Sequence, residues 1–181
     1  MSEMNYLNFD LQLYRSQLPL MTISRLVAIV VLTIAGSLLS FCDSVDIFLP
    51  VSIDFVVMDI HASTAGMPDP TTLSFSNADL SPGSSLRISL KADTENFTKP
   101  SSNGDSIPVN YVSWSTSNAT NGVGYPGTLG FSSFSVVYQS VPDASSGSVD
   151  LSWTLESLDQ LSIRAGAHFL SATWKVESIV P

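Results

Sequence analysis

The sequence predicts an all-β protein, an immunoglobulin-like or jelly-roll β-sandwich that follows an N-terminal signal segment. Three observations predict it. Beyond position 43 apolar residues recur at every second position rather than every 3.6, and turn-forming residues interrupt the chain about every ten residues. Ahead of that pattern stands one uninterrupted apolar run, residues 26–39, which follows Arg25 and stops at Phe41-Cys42-Asp43.

With about 14 residues and no charge, the run has the length of a signal-peptide core and falls short of the roughly 18 that span a bilayer. It reads as an export signal. The chain therefore divides into an N-terminal extension with signal peptide, 1–42, and a single β-sandwich domain, 43–181. Residues before Met21 resemble neither a targeting signal nor a domain, and Met21-Thr22-Ile23-Ser24-Arg25 forms a compact signal start, so Met1 and Met21 both stand as starts. Leu39-Ser40-Phe41-Cys42 resembles the bacterial lipobox, which makes Cys42 a lipidation candidate. Phe41 occupies a position where that motif carries a small residue. Plain cleavage near Ser40 or Cys42 and a retained N-terminal anchor stay open beside lipidation. Cys42 is the one cysteine, so the sandwich must hold by its core without an internal disulfide.

From Asp43 onward, 139 residues suffice for one well-filled core. The elements follow in order. Val45, Ile47 and Leu49 alternate with Asp46, Phe48 and Pro50, and beyond Pro50 the pattern continues through Val51, Ile53, Phe55 and Val57, the proline marking an edge or a bend. Pro68-Asp69-Pro70 is a turn. Leu73 and Phe75 face one way on a short strand, and Leu80-Ser81-Pro82-Gly83 returns the chain into a strand with Leu86, Ile88 and Leu90 inward. Residues 94–108 hold few apolar side chains and form a long loop or loose hairpin. A strand over 109–115 leads into a turn-rich stretch, 116–130, and then a strand over 131–139 with Phe134, Val136 and Tyr138 on one face. Val149, Leu151, Trp153 and Leu155 alternate next, and Leu170, Ala172, Trp174 and Val176 mark the closing strand.

The charge excludes one partner class. The net charge of −9 resides in the part after the signal, where 14 acidic residues face 5 basic ones, and nucleic acid demands the opposite. Catalytic and metal patterns are missing: His61 and His168 have no ligand-spaced partner, and there is no Gly-x-Ser-x-Gly elbow. Glu156 with Asp159, and Asp69 near Asp79, read as solvated turn carboxylates. Asn96-Phe97-Thr98 and Asn118-Ala119-Thr120 match the glycosylation acceptor pattern and read first as exposed loops. No enzyme, no cofactor and no metal site are expected. Tyr111, Trp114, Tyr125, Phe131 and Phe134 cluster in the middle third, and of these Trp114 and Tyr125 are the ligand-binding candidates, as stacking rings of a shallow groove. Trp153 and Trp174 belong to the core.

The tail Ala165-Gly166-Ala167-His168-Phe169-Leu170-Ser171-Ala172-Thr173-Trp174-Lys175-Val176 resembles the closing strand of WxL-type bacterial cell-surface domains, with His168 and Val176 as departures and Trp153-Thr154-Leu155 as a literal Trp-x-Leu upstream. That resemblance implies non-covalent attachment to cell-wall polymer. The Gly-entered last strand is also similar to pilin-like sandwiches of the spore coat protein U type, which implies a self-assembling subunit with residues 44–58 as the donated strand; the cysteine pair common there is absent. The expectation is a non-catalytic extracytoplasmic module, secreted or held at the cell surface, with a structural, adhesive or wall-associated role. Its alternatives are a carbohydrate-binding module and a polymerising subunit. Its partners are cell-wall polymer, glycan or other surface subunits, with the membrane reached only through a lipid or an N-terminal anchor.

Overall fold

The computed structural model describes residues 5–12, 44–100 and 103–181, and over these the chain is nearly all β, with one 3-10 turn at Val109–Tyr111 and no α-helix. The apolar run 26–39 and Cys42 lie outside the described residues. The strands are β1 (Asn5–Gln12), β2 (Ser44–Phe48), β3 (Ser52–Phe55), β4 (Thr64–Met67), β5 (Thr71–Asp79) and β6 (Ser85–Ala92). They continue as β7 (Val112–Thr120), β8 (Gly122–Gly124), β9 (Gly127–Thr128), β10 (Ser135–Ser140), β11 (Gly147–Leu155) and β12 (Phe169–Ile179).

Two sheets face each other, as the alternation predicts. One runs β8-β10-β6-β12-β1-β3 and the other β2-β5-β11-β7-β9, while β4 pairs with β3 at one end and with β11 at the other. Pro50 makes its bend between sheets. Before it β2 pairs with β5, and after it β3 pairs with β4 and β1, so three residues carry the chain from one sheet to the other.

β11 shows the period-two rule without exception: Gly147, Val149, Leu151, Trp153 and Leu155 are buried and the residues between them are half-buried. Against them pack Leu86, Ile88 and Leu90 of β6 and Leu170, Ala172 and Trp174 of β12, all at most 2% exposed. Phe75 of one sheet meets Tyr138 of the other with ring centroids 6.0 Å apart. Gly66 is small for a reason, since a Cβ there would stand 2.6 Å from Ile53 and 2.8 Å from the Trp153 Cβ. On the outer face Asp150 accepts hydrogen bonds from Asn118 Nδ2 at 2.8 Å and Thr72 Oγ1 at 2.7 Å, tying β7, β11 and β5 together. Those bonds, Asn118 first and Thr72 second, hold its pKa below the usual carboxylate range.

Several expectations are corrected. The strand expected from 109 starts at Val112, because Pro108 leads into the 3-10 turn and Val112 N–H closes that turn on the Val109 carbonyl. The strand expected from 131 starts at Ser135, and a bulge between Val136 and Tyr138 buries both Val137 and Tyr138. Phe134, expected on one strand face with Val136 and Tyr138, precedes the strand and lies beneath the ammonium groups of Lys91 and Lys175, 5.2 Å and 5.7 Å from its ring centroid. Residues 44–58, which the polymerising alternative requires outside their own sandwich, contribute β2 and β3 to it, with Ile53 and Phe55 fully buried. The stretch 116–130, expected as turns, holds the end of β7 and the short strands β8 and β9, and β1 and β4 have no counterpart among the expected strands.

Burial pushes the Tyr138 phenol up to about 12, and its hydroxyl donates to the Thr120 carbonyl at 2.7 Å. The folded value lies above the unfolded value of about 10. Its contribution to stability is therefore full below pH 10 and is lost as pH rises through 12. In chemical denaturation at stepped pH, the stability gap between the native chain and Tyr138→Phe should shrink across that window; a gap that stays constant would contradict the burial of the phenol.

Candidate functional site

Trp114 and Tyr125 do not form a stacking groove. Trp114 stands opposite Trp153 in the β7–β11 register, is 3% exposed, and meets the Trp153 ring with centroids 5.7 Å apart. Its indole N–H donates to the Tyr125 carbonyl at 2.8 Å. Gly127 makes this possible, because a Cβ there would lie 2.7 Å from the indole ring that the strand crosses. Tyr125 keeps a 40% exposed side chain, while its backbone serves as the cap on Trp114. The indole is core for the same physical reason as Trp153, whose Nε1 donates to Thr71 Oγ1 at 2.8 Å: a buried ring with a satisfied polar handle.

The cleft lies next to this pair. After β6 the chain enters the loose hairpin expected over 94–108, closed by a bridge between Asn96 and Pro108 and by bonds from Phe97 N to Ile107 O and from Val109 N to Glu95 O. Phe97, Ile107 and Val109 are buried and pin it to the core. That anchoring leaves Glu95 and Asn110 exposed and Asn96 and Tyr111 half-buried on one side. Opposite them, Leu129 is buried and its N–H donates to Val112 O, while Gly130 O accepts from Ala92 N. Phe131 then projects beyond the anchored turn, 45% exposed. Between these walls is an open cleft of about 460 Å³, lined among others by Glu95, Asn96, Asn110, Tyr111, Phe131 and Ser132.

The chemistry of the lining is specific in kind. Two aromatic rings offer apolar faces, and two amides, a carboxylate and a hydroxyl offer hydrogen bonds of both polarities. Sugar rings present that combination, with C–H faces for the rings and hydroxyls for the amides. Among the described residues of the lining the carboxylate is that of Glu95. Among the described residues no group of three or more His, Cys, Asp or Glu side chains could hold a metal ion.

The remaining sequence candidates are separate from the cleft. His61 is exposed, and His168 is buried with Nε2 3.0 Å from the Arg164 carbonyl. Asp159 accepts from Ser157, and Glu156 lies 3.5 Å from the Ser113 hydroxyl. Asn118 sits on β7 rather than in a loop, with its amide spent on Asp150. Tyr111 and Phe131 belong to the aromatic cluster visible in the sequence, but Glu95, Asn96 and Asn110 are brought to them only by the hairpin register.

With all three tryptophans buried, at 3%, 1% and 1% exposure, intrinsic emission should be blue-shifted and nearly insensitive to iodide. Strong iodide quenching would mean that an indole is on the surface. No family model matches the chain, and neither does any curated protein or solved structure.

Proposed function

We propose that this protein is a non-catalytic extracytoplasmic surface module that holds a cell-wall polymer or glycan, in a structural or adhesive role, through the cleft between the 94–111 hairpin and Phe131. The observation that carries the reading is the pairing of Tyr111 and Phe131 with Asn96, Asn110 and Glu95 around one open cleft. Rings there can stack on a sugar face while the amides and carboxylate meet its hydroxyls. The export signal read in residues 26–39 supports the compartment, and the acidic surface favours solubility there.

An open cleft of this size implies modest affinity per site, which suits a repeating polymer engaged many times over. Phe131 is the cleanest probe because its ring is half outside the fold. Titration with soluble oligosaccharide fragments of wall polymers, read by chemical-shift mapping, should move Asn96, Asn110 and Phe131 amides. Phe131→Ser should weaken that binding tenfold or more with little loss of thermal stability. Equal binding by Phe131→Ser, or shifts elsewhere on the surface, would defeat the cleft as the contact.

A further inference from the structure

β1 is the strand that the chain should not be able to keep. It lies between β12 and β3, antiparallel to β12 over eight positions from Asn5 opposite Val176 to Gln12 opposite Phe169, and parallel to β3 with Leu11 opposite Ile53. The apolar letters of the stretch, Leu7, Phe9 and Leu11, fall at register positions opposite Trp174, Ala172 and Leu170, all three of them buried. The match is of the period-two kind that fixes a strand's register. Yet β1 precedes residues 26–39. Export followed by cleavage removes it, and export with the run retained in the bilayer leaves it on the other side of the membrane.

Resting on the export reading above, we infer that the slot between β3 and β12 is an acceptor site for an extended strand supplied by another polypeptide chain. Without β1 the two edges stand two strand spacings apart, roughly 9.5 Å, with the backbone groups of both turned toward the gap. An occupant must run antiparallel to β12 and parallel to β3. It must also carry large apolar residues at three alternate positions, since those positions stand opposite the buried Trp174, Ala172 and Leu170 of β12, the last of them also opposite the buried Ile53 of β3. Main-chain hydrogen bonds on both sides supply affinity and the alternate apolar positions supply selectivity. Residues 5–12 display the sequence pattern that fits.

The test uses the full chain carrying Ser171→Cys, produced in an exporting host and recovered outside the cytoplasm, with intact mass giving its N-terminus. The probe is a synthetic peptide of residues 5–12 with Asp10→Cys, since Asp10 stands opposite Ser171 in the register. Processed protein should form the peptide disulfide at least tenfold faster than with a peptide in which Leu7, Phe9 and Leu11 are serine. Processed protein that admits the peptide only after its oligomers are dissociated would also support the inference, with a second copy as the donor. Folded, processed, monomeric protein that reacts equally with both peptides would overturn the acceptor site and leave the export reading standing. Recovered protein that still carries residues 5–12 in its own slot, and so excludes the peptide, would overturn both.

Discussion

Strand β12 has to be an interior strand. Its inward residues Leu170, Ala172 and Trp174 are buried in the core between the sheets, and a strand lies on each flank, β6 along Ala172 to Ile179 and β1 along Phe169 to Val176. A bare edge at this place would expose backbone groups and the rim of the core together, which is the costliest place for a sheet to stop. The rest of the architecture follows from satisfying that strand. β3 must leave the sheet of β2 at Pro50 and cross to the other side so that the gap beside β12 is one strand wide, and β4 must tie β3 back to β11.

The cleft is a consequence of the same economy at the opposite sheet. At the start of β7 Trp114 packs against Trp153, and two residues before it Val112 closes the 3-10 turn that presents Tyr111. The hairpin over 94–111 has little apolar content of its own; Phe97, Ile107 and Val109 bury against the core, and backbone bonds between Thr98 and Phe169 and from Asp105 N to Ser162 O tie it to neighbouring stretches of the chain. Its polar residues are left to solvent on the cleft side. Each wall of the cleft is anchored by buried residues one or two positions from the exposed ones.

Much of the fold was legible from alternation. β11 and β12 could be read residue by residue, because one face of each packs on the opposite sheet and nothing else competes. Alternation failed where local geometry broke the period, at the bulge that buries Val137 beside Tyr138 and at Pro108, where a turn replaced the first residues of a strand. β4 was hidden because Gly66 contributes no apolar side chain, only close approach. β1 is hard to read although Leu7, Phe9 and Leu11 alternate, since it precedes the apolar run 26–39, whose reading as an export signal sets it outside any domain. The site was the least legible part. Trp114 looked like a platform because a lone aromatic beside turns is ambiguous, and its burial depends on Gly127 and Trp153 from distant strands. Asn96 and Asn110 are unremarkable in sequence and acquire meaning only through the bridge between Asn96 and Pro108.

The slot beside β12 is a strand position that must be filled. Residue-resolved amide hydrogen exchange on the full chain addresses it most directly. Amides of β12 from Phe169 to Val176 should exchange as slowly as those of β6 and β11, on both flanks of the strand. Replacing Leu7, Phe9 and Leu11 by serine should release the β1-facing half of them selectively. Rapid exchange along that flank in the unaltered chain, with β6 and β11 protected, would show an edge strand there and contradict the account.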